Sequence, residues 1–313
     1  MPENTLPEVF VERLKAIVSL EDYPATLASF AEPSATAFRV NTLKATNENV
    51  LAEIGVETNS VPWYPQAFLI DPQYRDALTQ SKAFSEGRIY IQNLASMLAP
   101  LLLDPQPGEE VLDLAAAPGG KTLMIAAMME NHGRLAAVES VKNRFFRLKN
   151  TIQTFGADMV ELYLKDGREV GWKVLERFDR VLLDAPCSSE SRFNVNDPKS
   201  FSHWNERKIK EVQRKQKKLI CSAIAALKPG GVLVYSTCAY SPEENEMVVQ
   251  HALKKFSGKI LIEPAEIHLD NFRPGLLRWK KKEFDPSMKQ AIRVLPNQFM
   301  HGFFLCKIRK ICI

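Results

Sequence analysis

Two cysteines close two apolar runs of strand type, Val181-Leu182-Leu183-Asp184-Ala185-Pro186-Cys187 and Val232-Leu233-Val234-Tyr235-Ser236-Thr237-Cys238. Upstream, Val111-Leu112-Asp113-Leu114 leads into a loop of small residues, Ala115-Ala116-Ala117-Pro118-Gly119-Gly120-Lys121-Thr122. Free cysteines most often end as inert buried thiols. These two sit at strand ends, where loops begin and substrates reach. A soft nucleophile pair beside a small-residue loop suits covalent catalysis on a weakly reactive substrate. Lys121, or a helix N-terminus, is placed to lower a thiol pKa. The remaining cysteines, Cys221, Cys306 and Cys312, fall in a helical pattern, an apolar strand and the tail. They are expected to be inert. None of the five cysteines has CxxC spacing with histidines, so no metal site is expected.

The elements that must position these residues alternate. Strands are expected at Glu110–Leu114, Arg134–Glu139, Glu161–Asp166, Asp179–Asp184 and Gly231–Thr237. Helices are expected near Asn93–Leu103, Lys121–Met129, Lys142–Phe155, Glu206–Leu227 and Glu243–Lys255. Alternation of this kind specifies a parallel sheet with helices on both faces. Ala291–Leu295 and Gly302–Ile308 should form an antiparallel hairpin at the sheet edge. The fold class is therefore α/β: a Rossmann-like methyltransferase fold, mostly parallel, with a reversed terminal β-hairpin and a small N-terminal α/β domain. Residues 1–35 read as a helical segment, with Leu6, Phe10, Leu14 and Ile17 at helical spacing for packing. Residues 36–85 read as a small βαβ-like unit, either an RNA-binding platform or a cap, and 86–313 as the catalytic domain.

In open α/β sheets, ligands bind beyond the carboxyl ends of the strands. Those ends carry Asp113, Glu139, Asp166 and Asp184, in register with the small-residue loop. Alanine and glycine allow close backbone approach, and the helix after the loop attracts a carboxylate. Glu139 stands where a Rossmann acid accepts from ribose hydroxyls, and Asp166 where it would accept from an adenine amino group. A ligand with a carboxylate, a ribose and an adenine fits S-adenosylmethionine. A dinucleotide fits less well, because Gly-x-Gly-x-x-Gly is absent. Gly120-Lys121-Thr122 resembles the end of a P-loop, but the required earlier glycine is Ala115 and Pro118 removes an amide donor. An NTPase is disfavoured.

A methyl sulfonium beside a thiol defines a specific chemistry. Carbon 5 of cytosine is a poor nucleophile until a thiolate adds to carbon 6 and makes an enamine. Methyl transfer, loss of the carbon 5 proton and departure of the thiolate complete the cycle. Asp184, protonated or shared with the ring, would stabilise charge at the base's N3. On the residues alone, either Cys187 or Cys238 fits as nucleophile.

The chain resembles the Nop/Sun family of RNA 5-methylcytosine methyltransferases from about Phe38 to Lys310. The resemblance rests on Phe38-Arg39-Val40-Asn41-Thr42-Leu43-Lys44, on Tyr90-Ile91-Gln92-Asn93-Leu94-Ala95-Ser96-Met97 and on the loop Ala115 to Thr122. It rests further on Asp184-Ala185-Pro186-Cys187-Ser188, on Ser236-Thr237-Cys238 with Ser241-Pro242-Glu243-Glu244-Asn245-Glu246, and on Gly302-Phe303-Phe304. It implies that Cys238 attacks carbon 6 and that Cys187 assists breakdown of the adduct. It also implies cofactor contacts from Ala115, Ala116, Ala117, Pro118, Gly119, Gly120 and Lys121, and from Glu139, Arg144, Asp166 and Asp184. This chain departs from the family pattern at Ala115, often cysteine; at Ser189, usually glycine; and at His301, often an acid.

The 313-residue chain carries a net charge of +4, which permits a polyanionic partner without demanding one. The lysines and arginines of Glu206–Leu227 read as a solvated face that contacts RNA only if it lies beside the cleft. Arg278-Trp279-Lys280-Lys281-Lys282 suits a nucleic-acid loop somewhat better. The start at Met1 lacks a signal-peptide pattern, and apolar runs such as Leu98 to Leu103 are too short for a bilayer. The expectation is a cytoplasmic monomer that binds RNA, rRNA ahead of tRNA, with no membrane association. The alternative is a catalytically silent RNA-binding assembly factor.

Overall fold

In a computed structural model, residues 6–32 and 35–312 are described. Parts of the expected N-terminal helical segment, residues 1–5 and 33–34, lie outside the described residues. The chain begins with helices α1 (Glu8–Ile17) and α2 (Tyr23–Ala28). A small sheet follows, with β1 (Thr36–Val40), α3 (Asn47–Ile54), β2 (Asn59–Ser60), β3 (Ala67–Ile70), α4 (Arg75–Gln80), α5 (Lys82–Ser85) and β4 (Ile89–Ile91). Then come α6 (Leu94–Leu103), β5 (Glu110–Asp113), α7 (Gly120–Met128), β6 (Arg134–Glu139), α8 (Lys142–Phe155), β7 (Val160–Leu164) and α9 (Gly167–Lys173). β8 (Phe178–Asp184), α10 (Glu206–Ala226), β9 (Leu227–Thr237) and α11 (Glu246–Lys255) complete the alternating part. The remaining strands are β10 (Ile260–Glu263), β11 (Phe272–Pro274), β12 (Arg278–Trp279), β13 (Lys282–Glu283), β14 (Ile292–Val294) and β15 (Phe303–Lys310).

The main sheet runs β11-β14-β15-β9-β8-β5-β6-β7, with β10 also on β15. β9, β8, β5, β6 and β7 are mutually parallel, and β15 is antiparallel to β9. The expected α/β architecture is therefore present. The reversed hairpin β14–β15 is also present, but β15 is not an edge strand. It lies between β9 and the pair β14 and β10, and β11 extends the sheet beyond β14. The short strands β10 and β11 carry too little alternation to be legible in the sequence.

The period of two along each strand sorts side chains onto two faces. Leu112, Val138, Val181, Leu233, Tyr235 and Phe304 face α10 and α11. Val111, Ala137, Leu182, Val234 and Leu305 face α6, α7 and α8. Leu6, Phe10, Leu14 and Ile17 join the first face, with Phe10 against Phe30, Phe193 and Trp204. The N-terminal helices thus pack on this face of the main sheet.

The small unit is not a βαβ crossover. Its strands form a four-stranded sheet in order β2-β3-β1-β4, with antiparallel pairings. Its last strand, Ile89–Ile91, lies beyond residue 85. One face holds its own core of Phe38, Val40, Phe68, Ile70 and Ile89. The other face places Ala37, Ala67 and Leu69 in the core beneath α6 and α7 on the main sheet. Two polar side chains fasten this junction. Fully buried Arg39 donates to the Gly120 carbonyl at 3.0 Å and to Gln92 Oε1 at 3.2 Å. Asn41 Nδ2 donates to the carbonyls of Gly87 and Phe155, both at 2.8 Å.

Candidate active site

Strand register brings the cysteines together. β8 and β9 are parallel neighbours with Asp184 opposite Ser236. Cys187 and Cys238 follow these partners on adjacent loops, and their sulfurs lie 3.1 Å apart. Both line a cleft of about 460 Å³ with Asp113, Ala115–Pro118, Gly120, Lys121, Arg144 and Asp184. Tyr90, Gln92 and Ser96 close its other side.

The loop after β5 is shaped for close approach. Gly119 has φ of 113°, a conformation that side chains disfavour. A Cβ at Gly120 would lie 2.6 Å from the Tyr90 ring. That ring is held against Phe155 and below Arg39. The small unit therefore braces the loop through Arg39 and Tyr90.

The acids divide. Buried Asp113 accepts from Thr122 Oγ1 at 2.7 Å, and burial pushes its carboxyl up to about 6. Its Oδ1 has no hydrogen-bond partner within the protein. Buried Glu139 accepts from the Val141 amide at 2.8 Å, while its Oε2 has no hydrogen-bond partner and lies 3.5 Å from Arg144 Nη1. Arg144 Nη2 donates to the Ala117 carbonyl at 2.6 Å, linking Glu139 to the loop. Asp184 is gripped by Lys121 Nζ at 2.7 Å and Ser236 Oγ at 2.8 Å. Asp166 does not line this cleft, and the amide of the preceding Lys165 donates to the Glu139 carbonyl at 3.2 Å. Asp166 caps α9, a helix absent from the sequence-based assignment, and is paired with Arg168. It lines a second cavity of about 300 Å³ with Val138, Lys165 and Val170.

The two thiols are unequal. Cys238 is lowered to about 6, first by its hydrogen bond to Cys187, against burial, and then by the Arg192 guanidinium. Cys187 is raised well above its ordinary value by that same bond and by burial. Lys121 also binds Ser96 Oγ, at 2.6 Å, so its ammonium is committed to Asp184 and Ser96. The cation that acts on Cys238 is Arg192, which sequence reasoning passed over. Its only signal was its place in the loop after Cys187.

Two buried acidic side chains hold these loops. Glu190 accepts from the amides of Tyr240 and Ser241, from Ser241 Oγ and from Trp204 Nε1. Glu244 accepts from the Ser188 amide and hydroxyl and from Gln216 Nε2. The loop after Cys187 thus grips the segment after Cys238, and the reverse. Ser189 adopts φ 60°, ψ 31°, the left-handed conformation glycine tolerates best. Gly302 is required by contact, since a Cβ there would lie 2.2 Å from Tyr240 Oη.

A Rossmann-like sheet with a small-residue loop at its carboxyl edge is the architecture of a methyltransferase. Similarity to known proteins agrees. Residues 100–309 match the family described as 16S rRNA methyltransferase RsmB/F, and residues 6–94 match the N-terminal domain of 16S rRNA methyltransferase RsmF. A tRNA (cytosine(49)-C(5))-methyltransferase from Pyrococcus abyssi is 36% identical, over 96% of this chain and 95% of that relative. Ribosomal RNA small subunit methyltransferase F from Vibrio campbellii is 35% identical over 99% of this chain. The chain spans 64% of that relative's length. Among solved structures, a methyltransferase homolog protein from Pyrococcus horikoshii superposes with a TM-score of 0.84 at 34% identity, covering 98% of this chain and 96% of that one. NSun6 from the same organism, crystallised with SFG, gives 0.83 at 25% identity, over 98% and 99%. The chain belongs to the RsmB/F, or Nop/Sun, family of RNA 5-methylcytosine methyltransferases.

Proposed function

We propose that this enzyme transfers a methyl group from S-adenosylmethionine to carbon 5 of a cytosine through a covalent Cys238 adduct. The observation that carries the reading is the 3.1 Å thiol pair with one member lowered and the other raised. The cleft suits the cofactor. Asp113 Oδ1 and Glu139 Oε2 are buried acceptors without hydrogen-bond partners, matching the ammonium and ribose hydroxyl donors of S-adenosylmethionine. Ala115 to Lys121 and Arg144 are the further residues that would hold it. Asp166 would have to release Arg168 to reach an adenine. When bound, the cofactor supplies an electrophilic methyl on a sulfonium.

The inequality of the two thiols supports Cys238 as the nucleophile. Cys238 Sγ, as thiolate, would add to carbon 6, and the electron pair of the ring's 5,6 double bond would pass into the enamine that makes carbon 5 nucleophilic. Lys121 steadies Asp184, which faces the ring. Once Cys238 is bonded to carbon 6 it no longer holds negative charge. The largest cause that raises Cys187 is then gone, while burial and the charges of Glu244 and Asp184 still raise it. Once it has given its own proton to solvent, Cys187 would take the carbon 5 proton after methyl transfer; the C5–H electron pair rebuilds the 5,6 double bond and the carbon–sulfur bond breaks, returning Cys238 as thiolate. The target base must leave its stack at a cost of a few kcal/mol, least in loops and bulges. Structured RNA with an exposed cytosine is the expected substrate. Small-subunit rRNA is the first candidate. tRNA is the second, favoured by the end-to-end match to a tRNA enzyme. A monomer in a reducing cytosol completes the reading, since the thiol pair must stay reduced. Among the described residues no helix is long and apolar enough to cross a membrane.

The test is methylation of unmodified rRNA fragments and tRNA transcripts with labelled S-adenosylmethionine, followed by bisulfite sequencing. Cys238→Ala should give neither 5-methylcytosine nor a denaturant-stable RNA adduct. Normal turnover by that variant would refute the assignment.

A further inference from the structure

The sequence holds two basic segments far apart in the chain, and the fold joins them. Lys210, Arg214 and Lys217 follow one face of α10 at helical spacing. Lys280 and Lys281 form the turn of the β12–β13 hairpin, and Lys282 begins its second strand. Lys210, Arg214 and Lys280–Lys282 line one groove. The hairpin is set there by buried Trp279, whose indole donates to Glu243 Oε1 at 3.0 Å.

The groove's charge is uncompensated. Among the described residues, none of these six cations forms an ion pair with a carboxylate. The acid that lines the groove, Glu243, is taken by Arg13 at 2.6 Å and by Trp279. Lys217, on the same face of α10, is lowered first by burial and then by the charge of Lys282. A row of exposed like charges with no counter-charge is what a polyanion neutralises, with release of its counterions.

The groove also adjoins the catalytic loops. On α10, Gln213 lines the groove and donates to the Glu243 carbonyl at 2.7 Å. One turn on, Gln216 donates to the Pro186 carbonyl beside Cys187 at 2.9 Å. Helix α10 thus connects the groove to the loop that carries Cys187.

We propose that the groove between α10 and the β12–β13 hairpin binds the phosphate backbone of substrate RNA flanking the target cytosine. The proposal rests on the reading of the chain as an RNA methyltransferase. It adds a docking track that carries affinity and no base readout, because lysine and arginine contacts to phosphate position RNA without reading its sequence.

The experiment compares the wild type with K210E/K281E/K282E and with the milder K210Q/K281Q/K282Q. Unmodified tRNA and oligocytidylate are the probes, with affinity followed across salt concentration. For single strands, each phosphate that the protein no longer neutralises flattens the slope of log affinity against log salt by about 0.7, so removing three cations flattens it by about 2. The reversed variant should bind RNA ~10–100-fold more weakly at low salt. The neutral variant should fall between. Affinity for S-adenosylmethionine and the methylation rate at saturating RNA should not change. An unchanged slope and affinity would overturn the proposal. So would loss of binding to phosphatidylserine vesicles with RNA binding intact, which would make the face a lipid-binding surface. Absence of methylation by the wild type would instead defeat the functional reading and leave the salt slopes to decide the groove.

Discussion

Replacing Cys187 by alanine removes the sulfur 3.1 Å from Cys238 Sγ, the largest cause of that thiol's acidity. An ordinary thiol at 9.0 is ~1% ionised at pH 7, whereas one at about 6 is about nine-tenths ionised. The separation of about three units corresponds to about 4 kcal/mol of preference for the thiolate. Without Cys187, only Arg192 and the Ser189 hydroxyl still oppose burial. The midpoint of Cys238 ionisation should then rise by at least about one unit, cutting the thiolate at pH 7 to roughly half or less. The assay is alkylation of the RNA-free protein by iodoacetamide across pH, with Cys238 modification followed by peptide mass spectrometry. The wild-type rate should reach half its plateau near pH 6 and the variant's well above it. A wild-type midpoint in the ordinary thiol range, or no difference between the proteins, would refute the account of how this nucleophile is activated. The same variant should accumulate denaturant-stable RNA adduct at high pH, where its Cys238 is ionised.

Arg39→Ala should cost ~3 kcal/mol, because it empties a fully buried site and strands the Gly120 carbonyl. Calorimetry should show a Tm lower by several degrees, and titration should show weaker cofactor binding; an unchanged Tm would mean the junction is not braced there. Ser189→Gly should stabilise slightly, by ~0.5–1 kcal/mol, since relief of the left-handed backbone exceeds the entropy glycine adds to the unfolded chain. A clear loss in urea denaturation would show that the hydroxyl outweighs the strain. Glu244 is raised by burial from 4.5 to about 8. A raised carboxyl stabilises the fold fully below its unfolded value, and that contribution is lost as pH rises from about 4.5 to about 8. Glu244→Gln should therefore flatten the pH dependence of stability across that window. Parallel denaturation curves for the two proteins at pH 5 and pH 8 would contradict it.

Much of this protein is written locally. Alternating apolar runs specify the parallel strands, and helical spacing specifies α8 and α10 almost to the residue. The small-residue loop and the two cysteine motifs announce the chemistry, because residue type and chain order suffice to mark a strand end. What one dimension could not decide was pairing. β15 lies inside the sheet because β10 and β14 flank its far side, with β11 beyond, and such short strands carry no period. The place of Asp166 after a strand marks it as a cofactor-side acid, but its cap on α9 and its pairing with Arg168 are set only in the fold. Arg192 and Glu190 follow Cys187 in an irregular loop, where no periodicity reports direction. The inequality of the two thiols likewise arises only when the β8–β9 register sets the sulfurs in contact under one guanidinium. A pKa depends on through-space distances and on burial, and both are properties of the folded chain.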